Sequence, residues 1–187
     1  MEKTKLKKAT LIIIDMQNDF LTGSLANPDA EKIVDPIGEL IKGWKGKIVA
    51  TRDTHDPDYL ETPEGRKLPI KHCIEGTAGW CIEERIARAL WNRPKSFVVD
   101  KYDTFAVDWS SEPLGADLDD DIYLVGTCTD ICVISNALVL KAAYPEKNIT
   151  VYENLCAGTT PERHKAAIEV MKSCQIDIKT YKGTEGE

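Results

Sequence analysis

The sequence predicts an α/β protein with a three-layer α/β/α architecture, built on a doubly wound, six-stranded parallel sheet. Six apolar runs alternate with segments of helical periodicity along the chain, which is the order that produces parallel strands joined by crossover helices. Most of these runs are continuous in Ile, Val and Leu, as is typical of strands buried on both faces of a parallel sheet. The predicted strands are Thr10–Ile14, Lys47–Thr51, Ser96–Lys101, Asp121–Val125, Asn148–Tyr152 and Gln175–Ile178.

Four helices are predicted between these strands, at about 31–44, 82–91, 132–144 and 160–171. Pro145 ends the third, because proline cannot continue a helix interior. Thr160 is a predicted N-cap, with Pro161 in the first helical position, and this pair is a common helix start. The stretch 54–80 is rich in Pro, Gly and charged residues and shows no clear element. A loop of that length inside a compact domain is usually functional.

Length, composition and charge describe one globular domain covering residues 1–187. The chain has 187 residues, of which 42% are hydrophobic and 29% charged, so it can bury a full core. A formal net charge of −7 and the lack of a basic stripe argue against nucleic-acid binding. The apolar run Leu11–Ile14 is too short for a signal peptide, and no segment reaches membrane-spanning length. We therefore expect a soluble, cytoplasmic protein with no membrane partner.

The six cysteines, at positions 73, 81, 128, 132, 156 and 174, are expected to be reduced. A chain with a full core does not need disulfides, and no CxxC pair indicates a zinc ribbon or a thioredoxin-type motif. Cys128 has two interpretations. It is either a small residue tolerated in a tight turn, or it forms a disulfide with Cys132 that inactivates the protein under oxidation.

Three chemically active side chains lie where strands are predicted to end. Asp15 ends the first strand and Lys101 the third, while Cys132 begins the helix after the fourth, within GTCTDICV. Alone, each has an ordinary interpretation, as a capping Asp, a solvated Lys and a buried structural Cys. Ligand sites of such sheets lie beyond the carboxyl ends of the strands. Together the three residues would supply a nucleophile, a proton acceptor and a cation beside the thiolate. We expect the helix N-terminus and the cation to lower the thiol pKa.

A second group has the composition of a metal site. Asp53 and His55 lie two apart on an extended segment, so they can point to the same side, and His72 follows in KHC. One carboxylate and two imidazoles leave coordination positions open, which suits Zn²⁺, Mn²⁺ or Fe²⁺ in a catalytic or substrate-binding site. Glu64 is a tentative fourth ligand. The alternative is that this polar loop contains its histidines by chance, and His164 is expected to be a surface or capping residue.

Five segments in order, DMQNDF, RDTH, HCIEGTAGW, the Lys after the third strand and GTCTDICV, resemble the isochorismatase-like cysteine hydrolases. Within that family the chain is most similar to nicotinamidases and related amidases, because isochorismatases proper lack the metal motif. The resemblance implies a six-stranded parallel sheet, a non-proline cis peptide before Cys128 and an oxyanion hole made by the backbone N–H groups of Cys128 and Cys132. It also implies a catalytic triad of Asp15, Lys101 and Cys132, and a divalent metal, with zinc preferred, on Asp53, His55 and His72.

The activity implied by the resemblance is hydrolysis of nicotinamide to nicotinate and ammonia through a Cys132 thioester, in NAD salvage. Phe20, Tyr102 and Phe105 are then expected in the wall of the substrate pocket. Leu68 stands where many nicotinamidases have an aromatic residue, so a carbamoyl or ureido amide is the alternative substrate. A non-catalytic binding module is the rival from another class. The family is commonly dimeric or tetrameric, so a homo-oligomer is expected.

Overall fold

The fold is built on a six-stranded parallel sheet, which confirms the predicted class. In a computed structural model of the protein, residues 9–111 and 118–183 are described. The strand order is β3-β2-β1-β4-β5-β6, so the chain reverses its direction of winding between β1 and β4, where doubly wound sheets bind ligands. The strands are β1 Ala9–Ile14, β2 Lys47–Thr54, β3 Ser96–Tyr102, β4 Asp121–Thr127, β5 Asn148–Ala157 and β6 Asp177–Lys179.

Helices cover both faces of the sheet and divide the core in two. The helices are α1 Asn18–Leu21, α2 Pro28–Lys32, α3 Val34–Gly43, α4 Pro63–Lys67, α5 Glu84–Trp91, α6 Ile134–Ala143 and α7 Pro161–Ser173. Leu11 and Ile13 of β1 lie in the core on the side of α3 and α5. Ile12 and Ile14 lie in the core on the side of α6 and α7. Side chains alternate across a strand, so a continuous apolar run is needed to fill both cores.

The close approach of β1 and β4 depends on a glycine. Ile14 pairs with Gly126 in the parallel register, and Gly126 has a φ of +119°, which side-chain-bearing residues rarely adopt. A Cβ atom at this position would lie 2.1 Å from the carbonyl oxygen of Ile14. Gly126 therefore brings the end of β1, and Asp15 after it, against the turn that carries Cys132.

One helix prediction and the prediction for the stretch 54–80 were wrong in detail. The first predicted helix is divided into α2 and α3 at Ile33, because Pro36 lacks an N–H group and its ring would clash with the carbonyl four residues earlier. The stretch 54–80 contains a single 3₁₀ turn at Tyr59–Glu61 and the short helix α4. Thr62 caps α4 and accepts from Gly65 N at 3.0 Å, in a Thr-Pro-Glu sequence like the one that starts α7.

Other boundaries differ by a few residues. Strand β6 begins at Asp177 rather than at Gln175, because Gln175 has a left-handed φ of 63° and cannot join the ladder. All six cysteines are free thiols, as expected. No helix in the described ranges is long and apolar enough to cross a bilayer.

Candidate active site

Asp15, Lys101 and Cys132 meet at the carboxyl ends of β1, β3 and β4. Lys101 Nζ lies 2.8 Å from Asp15 Oδ2 and 3.7 Å from Cys132 Sγ. The exposed fractions of the three residues are 0%, 2% and 5%. A buried ion pair contributes little net stability, because desolvation offsets the Coulomb attraction. Placing both charges beside a thiol therefore points to chemistry.

Thr51, in the interior of β2, holds the Asp15 carboxylate. Its Oγ1 donates to Asp15 Oδ1 at 2.6 Å and accepts from Asp15 N at 3.2 Å. Asp15 has a left-handed φ of 48°, a strained conformation for a residue with a side chain, so the paired contacts fix both its backbone and its carboxylate. Thr51 was not predicted as a site residue, although a polar residue at the end of the apolar run KIVAT is a recognisable signal.

The ionisation of these groups differs from the prediction in one respect. Burial disfavours the Lys101 cation, but its negative neighbours, Asp15 first, outweigh burial and raise the ammonium pKa. Burial raises the Asp15 pKa, although Lys101 opposes the shift. Burial and the Asp15 charge raise the Cys132 thiol pKa well above its ordinary value, and Lys101 only partly opposes this. The predicted lowering was wrong because desolvation dominates, so the resting thiol keeps its proton until a base removes it.

The turn that carries Cys132 is closed by its own backbone. The Thr127–Cys128 peptide is cis, as the resemblance implies, and Thr129–Val133 forms a π-helical turn leading into α6. The carbonyl of Cys128 accepts from the N–H groups of Ile131 at 3.1 Å and Val133 at 3.0 Å. Both Cys128 and Cys132 line the same cavity. The assignment of their N–H groups to an oxyanion hole stays a prediction.

Asn136, on the first turn of α6, connects the turn that carries Cys132 to the segment after β3 through hydrogen bonds. Its Nδ2 donates to the carbonyls of Cys132 at 2.8 Å and Phe105 at 3.0 Å. Its Oδ1 accepts from Val107 N at 3.1 Å and from Trp109 Nε1 at 2.9 Å. This fully buried amide was missed because it stands in an apolar helix where only its polarity is unusual.

Asp53, His55 and His72 form the predicted metal cluster. Their ligand atoms lie within 4.8 Å of one another, and all three residues are buried. Asp53 Oδ2 lies 3.1 Å from His55 Nε2 and 3.4 Å from His72 Nε2. The Nδ1 atoms point away, to Asp103 Oδ1 at 2.9 Å and to the carbonyl of Ile70 at 2.9 Å. Histidine ligands are held in this way by acceptors behind them, so the donor set fits a divalent metal.

Charge around the cluster favours a cation. Burial would raise the Asp53 pKa, but hydrogen bonds with the two histidines and the charge of Lys101 lower it. Burial lowers the His55 pKa, but the carboxylates of Asp53 and Asp103 outweigh this and raise it to about 9. Glu64 lines the cavity and its pKa is raised by burial. It is not part of the three-residue cluster, so the structure does not bring this tentative ligand together with the other three.

The DMQNDF segment holds in place the backbone that carries Asp53 and His72. Gln17, which is fully buried, accepts from Asp53 N through Oε1 and donates to the carbonyl of Asp53 through Nε2, each at 2.8 Å. Asp19 Oδ2 accepts from the N–H of Cys73 at 2.8 Å, next to His72, and Cys73 has a left-handed φ of 47°. Neither Gln17 nor Asp19 was predicted to have a role, although both lie in a segment that carries the family resemblance.

A cavity of about 540 Å³ connects the two groups of side chains. Its lining includes Cys132, Asp53 and His72, with Phe20 and Phe105 in its walls as predicted. Tyr102 was predicted there and is not among the lining residues. It is 55% exposed, because neighbouring residues on a strand point to opposite faces and Lys101 takes the inward position. The Tyr102 hydroxyl donates to Glu75 Oε1 at 3.2 Å instead.

His164 was expected at the surface or in a cap, and this was wrong. It is half-buried, and its Nδ1 shares a hydrogen bond of 2.9 Å with Oγ1 of Thr129. Thr129 belongs to the turn that carries Cys132. The sequence signal was available, because a histidine one turn into an amphipathic helix faces inward if its neighbours at helical spacing do. Ala167, Ile168 and Met171 are buried on the same side of α7.

The chain is similar to known proteins in both sequence and fold. Residues 9–181 match the isochorismatase domain. The nicotinamidase/pyrazinamidase of Mycobacterium tuberculosis is 29% identical over 183 residues, covering 90% of this chain and 96% of the relative. The zinc complex of Pyrococcus horikoshii pyrazinamidase superposes with a TM-score of 0.78 at 26% identity, over 93% of this chain and 99% of that one. N-carbamoylsarcosine amidase from Thermoplasma acidophilum superposes with a TM-score of 0.74 at 26% identity, over 96% and 99% of the two chains.

Proposed function

Because the chain belongs to the isochorismatase family, we propose that it is a metal-dependent cysteine amide hydrolase that converts nicotinamide to nicotinate and ammonia. One observation carries the proposal. The Cys132 thiol, with Lys101 at 3.7 Å, lines the same cavity as Asp53 and His72 of the cluster. A nucleophile and a metal site in one cavity suit a substrate held at one end and attacked at the other. The similarity to proteins named nicotinamidase and pyrazinamidase supports the choice of amide.

Substrate binding positions the amide against the turn that carries Cys132. Phe20 and Phe105 provide apolar walls for a flat ring. Asp53, His55 and His72 would hold the metal, which when bound would supply a Lewis-acidic contact for a donor atom of the ring. Such a contact would fix the orientation of the ring, with the amide carbonyl toward Cys132. This positioning makes the attack effectively unimolecular.

The first half-reaction forms a thioester. The Asp15 carboxylate takes the proton of the Cys132 thiol as the sulfur attacks the amide carbon, and Lys101 stabilises the developing thiolate. The oxygen of the tetrahedral intermediate then carries the negative charge, which the N–H groups of Cys128 and Cys132 would stabilise. When the carbon–nitrogen bond breaks, Asp15 returns the proton to the leaving nitrogen, and ammonia departs.

The second half-reaction releases the acid. A water molecule gives a proton to Asp15 as its oxygen attacks the thioester carbon, and the same N–H groups bind the oxygen. Breaking the carbon–sulfur bond frees the carboxylic acid and restores the Cys132 thiol, with the proton returned by Asp15. The raised pKa of Asp15 suits a group that must both accept and donate a proton. The product nicotinate would enter NAD salvage.

A related amidase acting on a carbamoyl or ureido compound is the second candidate. Leu68, an aliphatic residue, lines the cavity together with Leu25, and Arg163 lies in the lining as well. An aliphatic wall binds a flat ring less specifically than an aromatic one. The similarity to N-carbamoylsarcosine amidase also favours this candidate.

Ammonia release from a panel of small amides tests both candidates. We expect turnover of nicotinamide and pyrazinamide, and loss of turnover in Cys132→Ala, with a trapped acyl-enzyme detectable by mass spectrometry in the unmodified protein. Cys81→Ser, which changes an exposed thiol, is the matched control. Release only from carbamoyl or ureido compounds would select the second candidate, and full turnover by Cys132→Ala would remove the nucleophile assignment.

A further inference from the structure

Two side-chain contacts join the turn that carries Cys132 to α7 and to the segment just before it. Thr129 Oγ1 and His164 Nδ1 share a hydrogen bond of 2.9 Å. The Asp130 carboxylate accepts two hydrogen bonds from Thr159. The backbone N of Thr159 donates to Asp130 Oδ1 at 2.7 Å, and its Oγ1 donates to Asp130 Oδ2 at 2.6 Å. Thr129 and Asp130 lie between Cys128 and Cys132, so both contacts act on the part of the backbone that carries the two N–H groups.

The packing around these contacts is tight. Thr129 is completely buried, and a Cβ atom at Gly158 would lie 2.8 Å from Cβ of His164. Real Cβ contacts essentially never come that close, so a glycine at 158 lets His164 pack against the segment that leads into α7. A buried hydroxyl needs a partner, and His164 provides the one that the structure shows for Thr129.

The charge state of His164 suits an uncharged hydrogen bond. Burial lowers the pKa of its imidazole below the ordinary value, while Glu153 and Asp130 oppose the shift. A neutral imidazole carries a lone pair on one nitrogen, and Nδ1 can therefore accept from the Thr129 hydroxyl. No contact of His164 with Lys101 or Asp15 is seen in the described residues, so its effect on the reaction would pass through the turn alone.

We propose that His164 is a positioning residue, which acts through Thr129 to hold the N–H groups of Cys128 and Cys132 on the carbonyl oxygen of the substrate. The proposal rests on the amide hydrolysis proposed above. Loosening the turn would weaken binding of the tetrahedral oxygen more than binding of the planar amide, because the charge on that oxygen develops only in the transition state.

The test compares His164→Leu, which removes the hydrogen-bonding nitrogen, with His164→Asn, which keeps a polar atom near the position of Nδ1. We expect His164→Leu to lower kcat about tenfold or more, with KM changed less than about threefold. His164→Asn should recover most of the loss. Lys172→Ala, at an exposed position of the same helix, is the matched control and should keep kcat.

Two further readouts separate positioning from a general loss of structure. The alkylation rate of Cys132, followed on its peptide by mass spectrometry, needs no oxyanion hole and should be unchanged in His164→Leu. Thr129→Val should lower kcat similarly, and the double variant should be no worse than either single one, because the two residues form one interaction. Additive losses, or equal falls in alkylation and hydrolysis, would overturn the proposal. Absence of ammonia release from every amide of the panel by the unmodified protein would instead overturn the hydrolase assignment.

Discussion

The ammonium of Lys101 lies 2.8 Å from the carboxylate of Asp15, and both side chains are completely buried. Lys101 also lies 3.6 Å from Asp53 Oδ1, so one cation is shared between Asp15 and the cluster of Asp53, His55 and His72. Three strand ends are thereby linked by charge, because Asp15, Asp53 and Lys101 follow or end β1, β2 and β3. Removing any one charge should disturb the other two.

Replacing Lys101 with Met should abolish hydrolysis and destabilise the fold by about 3–5 kcal/mol at neutral pH, because it leaves a buried carboxylate uncompensated. In this variant the folded-state pKa of Asp15 lies above its unfolded value. The loss is therefore largest at neutral and alkaline pH and shrinks as the pH falls through the folded pKa. Chemical denaturation at several pH values measures it. The double variant Asp15→Asn/Lys101→Met should regain much of the stability at neutral pH, and a pH-independent loss would contradict the reasoning.

Replacing Thr51 with Val should move the acid limb of the pH profile of kcat/KM to higher pH. Asp15 must be deprotonated to act as a base, and the hydrogen bond from Thr51 stabilises its charged form. Removing that bond raises the pKa further, so activity is lost at a higher pH as acid is added. Thr51→Ser keeps the hydroxyl and should keep the wild-type profile. A limb that stays in place in Thr51→Val would show that Asp15 is not the titrating base.

Much of this site was predictable because of how parallel sheets are built. Asp15, Lys101 and Cys132 could be placed at one edge since strand ends meet there, and the pair Asp53 and His55 follows from the two-residue repeat of an extended segment. Burial was the main unknown. The pKa of Cys132 could not be predicted, because desolvation depends on packing from both cores, which no single segment specifies.

The supporting residues were harder to predict for a different reason. Gln17 and Thr51 each form hydrogen bonds with backbone groups 36 positions away in the sequence. Asn136 does so with backbone groups 4 and 31 positions away. Such pairings depend on strand register and helix docking. The direction of the Tyr102 side chain was also uncertain from sequence, because a shift of one position along the strand decides whether a side chain faces the cavity. His164 was mistaken for a surface residue because the contact that it makes joins two elements far apart in sequence.

Removing Asp103 should weaken metal binding without unfolding the protein. Asp103 Oδ1 accepts from His55 Nδ1 at 2.9 Å and so orients the ligand ring, and the loss of such an outer contact typically lowers metal affinity about 10–100-fold. Competition with a chelator of known affinity, followed by elemental analysis, measures the change in Asp103→Ala. The exposed Asp108 gives the control Asp108→Ala. Retention of zinc by Asp103→Ala as tight as in the wild type would rule out this orienting role.

Removing the metal should affect substrate binding more than the chemical step. Cys132 is not a member of the cluster of Asp53, His55 and His72, so a bound metal would position the ring while Asp15 and Lys101 still act on the thiol. Dialysis against a chelator should raise KM for nicotinamide more than it lowers kcat, and added Zn²⁺, Mn²⁺ or Fe²⁺ should reverse the effect. A fall in kcat at constant KM would place the metal in the chemical step instead.

Replacing Asn136 with Leu should both destabilise the protein and slow hydrolysis. The amide satisfies four partners, two carbonyls and two N–H donors, and all of these contacts except the one with the Phe105 carbonyl are buried. Each buried polar group left unpaired costs about 1–3 kcal/mol. Relaxation and water entry recover part of that sum, so a net loss of roughly 3–5 kcal/mol is expected in denaturant titrations. The carbonyl of Cys132 is one of these partners, so kcat should fall even where the variant is fully folded. Ser135→Ala, one residue earlier on the same helix, should leave stability and kcat nearly unchanged, and an equal effect of both substitutions would show that helix docking rather than the Asn136 amide is responsible.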